Sequence, residues 1–448
     1  MKLPQIPPST IPSADGDWYK AIAALYDPDL NTKIDPLPNG KYLHWDKLSQ
    51  LDPPAGIDAK TWWIGIKLAR RALYQSLPLV DSEGCLFKFA PIELLNQLVW
   101  EIDRGGTGKF SDGSSLNLAE VSDSQYTRSL LDEAITSSQL EGAATTAAVA
   151  REMLLDGRRP QDKHEWMIHN NYVALEYIRD LKGVPLTENI VLDLHKILTN
   201  HTLDDEAAVG CYRSADEDIK VIDVTDGTVL HQPPQASELP DRMARLCDFA
   251  NGVDGQFIHP VLRAVMLHFQ LAYDHPFVDG NGRTARALFY WAMARYDYWL
   301  CEYISISSIL LQAPSKYARA FLYTETDESD LTYFLEYNLN VISKAISILR
   351  ESIADNAQQL GKATDALGSN PIYRSINGRQ QGIISYALDH PGFLFTIEAH
   401  RKLNTLSYQT ARTDLLGLAE LGLLDMHKRG RAFIFGVPTD LKQRLEGP

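Results

Sequence analysis

The chain has 448 residues, more than one ordinary domain holds, so two or three domains are expected. Hydrophobic residues make up 45% and charged residues 23%, the balance of a globular chain able to bury a sizeable core. A formal charge of −15 excludes a general polyanion binder, whose surface must be basic, but leaves room for a small DNA-reading module.

Four cysteines, Cys85, Cys211, Cys247 and Cys301, lie far apart with no CxxC pair. They read as thiols of a reducing compartment, not as a disulfide frame or a zinc site. The opening MKLPQIPPSTIP lacks the apolar stretch of a leader, and no segment carries the 18 apolar residues of a membrane span. A cytoplasmic protein without a membrane partner is the expectation.

Residues 1–16 are Pro-rich. An accessory region follows over 17–119, where turn signals at Asp27-Pro28, Pro38-Asn39-Gly40 and Asp52-Pro53-Pro54 surround helices predicted over 64–77 and 91–102. Trp62 and Trp63 read as core. Arg104-Gly105-Gly106-Thr107-Gly108-Lys109 looks like half a phosphate loop, but it lacks the G-K-[ST] ending and a preceding strand, so it reads as a turn.

The helical signal dominates from about Ser124. SQYTRSLLDEAITSSQLEG can be capped by Ser124 or Asp123 and stops at Gly142. Helices are predicted over 146–155, 164–181 and 187–200. The period then changes over 210–234, where Ile219, Val221 and Val224 face Val229 and Leu230 across Asp226-Gly227, a β-hairpin signature. Helices over 238–251, 260–274, 283–296, 314–325 and 330–360 complete a unit placed at 120–361.

Residues 362–371 have the composition of a linker. Beyond them, helices over 378–389 and 396–403 and a third in SYQTARTDLLGLAELGLL precede a hairpin tipped by Lys428-Arg429-Gly430-Arg431. That order outlines a winged helix-turn-helix domain over 372–448. Its net charge is +3 against −18 for the preceding residues, which supports a separate module. The fold class expected is mainly α: a helical core with a β-hairpin, an N-terminal helical region and a C-terminal winged helix domain.

The chemistry concentrates in HPFVDGNGRTAR, His275 to Arg286, which runs straight into an apolar helix. Gly280 and Gly282 free the backbone to form an anion nest where that helix begins. The Asn281 amide can donate to a phosphate oxygen. Arg283 and Arg286 share a helix face and suit bidentate phosphate contacts. A lone carboxylate beside phosphates, Asp279, suits Mg²⁺. His275 can take a proton from an attacking hydroxyl. Phe277 alternates away from these groups and anchors the loop. Together they imply transfer of part of a nucleoside triphosphate to a hydroxyl.

The same stretch resembles the signature of Fic-domain proteins, HxFx[DE]GNGRxxR, at every fixed position, and the order of helices and hairpin is similar over roughly residues 120–340. The resemblance implies a Fic-type core and AMPylation, transfer of AMP from ATP to a Ser, Thr or Tyr hydroxyl of a target protein or of the chain itself. It implies His275 as general base, Asp279 as Mg²⁺ ligand, Gly280, Asn281 and Gly282 as anion hole, and Arg283 and Arg286 on the triphosphate. The hairpin, at Val221, Ile222, Asp223 and Val224, becomes a flap that registers a target by strand addition. Tyr317 is assigned to packing against adenine.

Upstream, Ser137, Glu141 and Gly142 fit the inhibitory signature [ST]xxxE[GN] of the class with a built-in N-terminal inhibitory helix, here about 124–142. A Glu141 carboxylate on Arg286 would occupy the guanidinium needed by the γ-phosphate and leave ATP badly posed for in-line attack. Removal of AMP, or transfer of another nucleotide moiety, is the alternative this resemblance leaves open.

In the tail, Ser407, Gln409, Arg412 and Thr413 point toward a major groove, and Lys428, Arg429 and Arg431 toward a minor groove or phosphates. DNA is thus a second candidate partner. The rival function is a DNA-binding regulator whose Fic site senses nucleotide or modifies its own chain, with a homodimer also left open.

Overall fold

Apolar residues recur at helical spacing along most of the chain, and helices form nearly all of its core. The computed structural model describes residues 2–10, 16–31, 34–106, 123–223, 225–253, 255–367, 370–390, 393–429 and 432–446. The N-terminal region holds α1 (Asp17–Tyr26), α2 (Pro28–Asn31), α3 (Trp45–Leu48), α4 (Ala59–Arg71), β1 (Gln75–Val80), β2 (Leu86–Phe89) and α5 (Glu93–Gly106). The middle of the chain begins with α6 (Asp123–Leu140), α7 (Ala147–Asp156), α8 (Lys163–Asp180), α9 (Glu188–Thr199), β3 (Val221–Ile222) and β4 (Val229–His231). It continues through α10 (Leu239–Asn251), α11 (Pro260–Asp274), α12 (Asn281–Arg295), α13 (Ile306–Gln312), α14 (Pro314–Thr326) and the long α15 (Thr332–Leu367). The C-terminal unit comprises α16 (Pro371–Ser375), α17 (Gly378–Asp389), β5 (Leu394–Thr396), α18 (Ile397–Leu403), α19 (Tyr408–Glu420), β6 (Asp425–Arg429), β7 (Ala432–Gly436) and α20 (Leu441–Glu446).

The antiparallel pair α11 and α12 sits at the centre, each buried on nearly every side. A loop joining two such helices has both ends fixed by the core, which makes residues 275–280 a rigid platform. α9 begins at an N-cap, Thr187, whose side chain accepts the Ile190 N–H, and α7 and α8 are capped likewise by Thr146 and Asp162.

The N-terminal region shares this core, with Leu77, Leu79, Phe87 and Phe89 in the same apolar cluster as Phe269 and Leu335. Buried charges seal the junction. Arg70 lies 3.6 Å over the Tyr42 ring and donates to the Tyr333 hydroxyl at 2.9 Å, while Lys67 pairs with Asp327 at 2.8 Å. Trp62 and Trp63 are buried, as expected.

Two expectations change. The helix foreseen over 64–77 ends at Arg71, and β1 starts at Gln75, because Leu77 and Leu79 alternate inward at the period of a strand. The turn of Asp81 to Gly84, with Gly84 at φ +82°, returns the chain to β2. α15 runs to Leu367 through most of the supposed linker, whose Lys362, Ala363, Ala366 and Leu367 are good helix formers. Val224 and Arg431 lie outside the described residues.

The C-terminal unit has its own core, including Leu415, Leu418 and Phe435, and a three-stranded antiparallel sheet ordered β5-β7-β6. α17 opens on a capping box of Asn377 and Gln380. Its α18 packs against α6 and α7. No described helix is long and apolar enough to cross a membrane.

Candidate active site

α11 ends in His275, a non-glycine residue at φ 46°, ψ 55°, whose N–H still donates to the Leu271 carbonyl at 3.0 Å. Such left-handed backbone costs energy and survives only where the surroundings impose it. Nδ1 lies 3.2 Å from the Ala272 carbonyl, which can only accept, so Nδ1 carries the proton and Nε2 keeps a lone pair. Burial pushes the ring's pKa down to about 4, so at neutral pH it is an uncharged base.

Several side chains fix the loop. Arg213 Nε donates to the His275 carbonyl and the Arg213 N–H to that of Pro276, both at 2.9 Å. The Asn281 amide bonds Phe277 twice, accepting the N–H at 2.9 Å and donating to the carbonyl at 2.8 Å. These bonds shape the loop and leave the second Nδ2 hydrogen outside them, so the expected donation from that amide to phosphate stays open to it. His195 Nδ1 accepts the Gly210 N–H at 3.0 Å, so Nε2 is protonated and donates to the Asp279 carbonyl at 2.9 Å. The His195 ring also stacks on Phe277 at 3.7 Å.

Gly280 has φ +86°, and a Cβ there would meet Thr199 Cγ2 at 2.7 Å, so glycine is required twice over. At the start of α12, the N–H groups of residues 281–283 have no intrahelical acceptor and sit at the positive end of the dipole. At Gly282 the approaching group is Glu141, whose Oε1 would be 2.1 Å from an added Cβ. The carboxylate thus rests against the helix N-terminus.

Glu141 also pairs with Arg286, Oε1 to Nη2 at 2.9 Å. Arg286 is buried and donates twice more to Ser137, from Nε to Oγ and from Nη2 to the carbonyl, each at 2.9 Å. Burial opposes its charge, but Glu141, Tyr317 and Glu133 together hold its pKa above the ordinary value. Gly142, at φ +90°, turns the chain immediately after Glu141. α6 is itself anchored by Glu133, a buried carboxylate that accepts from the Ser307 hydroxyl at 2.5 Å, the Ser307 N–H at 3.0 Å and the Ser305 hydroxyl at 2.8 Å. Desolvation raises the Glu133 pKa.

Arg283, fully buried, donates from Nη1 to the Leu198 carbonyl at 2.9 Å, while its Nε and Nη2 make no hydrogen bond among the described residues. Nη2 is 3.6 Å from Asp279 Oδ1, the same oxygen that accepts the Gly280 N–H at 2.6 Å. Desolvation lowers the Arg283 pKa, a penalty that a bound anion would offset. Among the described residues no cluster of three or more His, Cys, Asp or Glu could cage a metal. A divalent cation would therefore rest on the half-exposed Asp279 carboxylate and on phosphate oxygens, the donor set that suits Mg²⁺.

Tyr317 lies on α14. Its hydroxyl is 2.7 Å from His268 Nε2, and its ring joins an aromatic group with His268, Phe321 and Phe334. The hairpin pairs Val221 with His231 and Ile222 with Val229, and the Asp223 N–H donates to the Thr228 carbonyl at 2.8 Å. Ile222 and Val229 are exposed. His231 ties the hairpin to α11, Nε2 donating to the Tyr273 carbonyl and Nδ1 facing Glu325, each at 2.7 Å. Burial opposes its charge, but Glu325 raises the pKa overall.

The proposed DNA-reading residues stand apart, on the C-terminal unit. Ser407 caps α19 by accepting the Thr410 N–H, Gln409, Thr413 and Lys428 are exposed, Arg412 is half-buried, and Arg429 ends β6. His195, Arg213 and His231 were not foreseen as parts of the site. His195, a polar residue on the apolar face of α9, carried the faint signal of a satisfied core histidine.

Residues 185–293 match the Fic/DOC family, a stretch that includes the whole 275–286 loop. A protein adenylyltransferase Fic from Nematostella vectensis is 30% identical over 158 residues, 35% of this chain and 34% of that relative. One from Drosophila willistoni is 28% identical over 228 residues, 49% of this chain and 42% of that one. The chain thus spans less than half the length of these curated relatives. A Fic family protein from Desulfovibrio desulfuricans G20 shares the fold, with a TM-score of 0.51 at 20% identity over 78% of this chain and 98% of that one. Over residues 185–293, then, the chain carries a Fic-type domain.

Proposed function

We propose that this chain is a self-inhibited protein adenylyltransferase, moving AMP from ATP to a hydroxyl side chain of a target protein or of itself. One observation carries the reading: a neutral His275 with its lone pair on Nε2 and a helix start already holding the Glu141 carboxylate, at Gly282 and Arg286, stand at the two ends of one short loop. The names of the Fic relatives agree with it.

In this mechanism His275 Nε2 takes the proton of the acceptor hydroxyl as its oxygen attacks the α-phosphorus of ATP. The bond to the leaving pyrophosphate breaks, and the product is a phosphodiester to AMP. The N–H groups of Asn281, Gly282 and Arg283, with the Arg283 guanidinium, would balance charge on phosphate oxygens. Asp279 would hold Mg²⁺, which when bound supplies further charge neutralisation. The exposed edge of the β3–β4 hairpin would align the target segment by strand pairing.

Inhibition follows from occupancy. Glu141 takes both the guanidinium of Arg286 and the approach to Gly282, so a triphosphate in the productive pose would have to displace it. The C-terminal unit, whose α17-β5-α18-α19-β6-β7 order is that of a winged helix-turn-helix, is an accessory module with DNA as its candidate ligand.

Incubation with ATP labelled at the α-phosphate tests the reading. Wild type should label protein weakly, Glu141→Gly strongly, and Glu141→Gly with His275→Ala not at all. Equal labelling of wild type and Glu141→Gly would overturn inhibition. Label arriving from the γ-phosphate would overturn AMP transfer.

A further inference from the structure

We propose that the C-terminal unit braces the inhibitory helix, so that α18 holds Glu141 on Arg286 from a distance. The proposal rests on the adenylyltransferase reading for its functional consequence, but not for the contact itself. The Lys402 ammonium, on α18, donates to the Leu154 carbonyl at 2.7 Å. Leu154 lies in the last turn of α7, where carbonyls lack intrahelical donors and a cation meets the negative end of the dipole. Burial lowers the Lys402 pKa, so this ammonium is seated in the joint, and it also lies 3.4 Å from where a Cβ on Gly157 would sit. Two further bonds close the joint: Thr396 Oγ1 donates to Asp156 Oδ1 at 3.0 Å, and Thr127 Oγ1, on α6, donates to the Lys402 carbonyl at 3.2 Å.

From this joint to the active site the path is packed protein. α7 shares a small apolar core with α6 and α8, in which Ala150, Met153 and Leu154 meet Leu131, Ile135 and Ala143. Glu141 lies in the turn between α6 and α7, its backbone N–H on the Ser138 carbonyl, and Gln139 reaches across to the Thr145 carbonyl at 3.0 Å. α7 is therefore pinned at one end by α18 and at the other by the turn that carries Glu141. Releasing the first end frees α7 to shift, and the Glu141 turn with it. A ligand that moves α18 would be felt at Arg286, which gives the accessory unit a route into the catalytic site.

The test uses the full chain with Lys402→Met and Asp156→Ala combined, and Lys402→Arg as the variant that can still donate. Transfer from α-labelled ATP should rise about fivefold or more in the double variant, within the ordinary range of coupling. It should stay near wild type in Lys402→Arg and unchanged when the double variant is built on Glu141→Gly, which also shows that the variant folds. Hydrogen exchange over residues 123–156 should lose protection in the double variant alone. Unaltered exchange there, or an equal rise on the Glu141→Gly background, would overturn the brace. Failure of Glu141→Gly itself to label protein would instead overturn the adenylyltransferase reading, leaving exchange to decide the contact.

Discussion

Glu141 Oε1 is 2.9 Å from Arg286 Nη2, and the same oxygen blocks the space above Gly282. One carboxylate thereby answers two groups made for an anion, and a nucleotide competes with it for both. Glu141→Gly should lower stability without nucleotide by about 1–2 kcal/mol, because the buried Arg286 keeps only its Ser137 bonds. Mg-ATP should reverse the loss, since a ligand at about 100 times its Kd adds about 2.7 kcal/mol. Calorimetry with and without Mg-ATP checks this: the variant should melt lower than wild type alone and gain more from nucleotide.

The pH dependence of transfer follows from His275. A general base works while deprotonated, and desolvation has brought its pKa from the usual 6.5 to about 4. The rate of the Glu141→Gly form at saturating Mg-ATP should therefore show no inflection near 6.5 and should fall only as the pH drops toward 4. A profile half-lost at pH 6.5 would mean that the ring is solvated, or that another group is the base.

The C-terminal unit carries a separate expectation. Gln409 and Lys428 are exposed, and Arg412 lies on the same helix as Gln409. If these residues face a duplex, Arg412→Glu with Lys428→Glu should weaken binding about tenfold or more at low salt and flatten its salt dependence. A mobility-shift titration at two salt concentrations measures both. Wild type that binds no duplex at either concentration would make the unit a protein-contact module.

The central loop was legible because its working groups are contiguous: a histidine, a carboxylate, two glycines and two arginines in twelve residues leave few alternatives. Residues whose roles depend on distant partners were not. Asn281 was read toward phosphate, and the two bonds of its amide to Phe277, four residues back, were not foreseen. Tyr317 was read toward adenine, and the approach of His268, on α11, to its hydroxyl was not foreseen. His195 and Arg213 act on the loop from elements far away in sequence, and nothing local marks a side chain whose partner is a backbone carbonyl. Element types were readable from period, but boundaries were not. The first residues of β1, Gln75 to Leu77, were absorbed into the preceding helix because its apolar pattern gives no sharp stop, and pairing with β2 decides where the strand begins.

The two glycines of the loop should fail in different ways. Gly280→Ala forces a side chain into left-handed backbone and against Thr199, so it should cost about 1–3 kcal/mol of stability in denaturant unfolding. Gly282 has no such strain, and the atoms nearest its Cβ would belong to Glu141 and Arg286, with Oε1 at 2.1 Å and Nη1 at 3.1 Å. Gly282→Ala should fold, yet it should not mimic Glu141→Gly, because the methyl that expels the carboxylate then stands where a phosphate must approach. In the Glu141→Gly background the same substitution should reduce AMP transfer about a hundredfold, the scale expected when reacting groups are displaced by about 1 Å. Steady-state rates of the single and double variants decide the point. Full activity in the double variant would mean that phosphate does not approach α12 at Gly282.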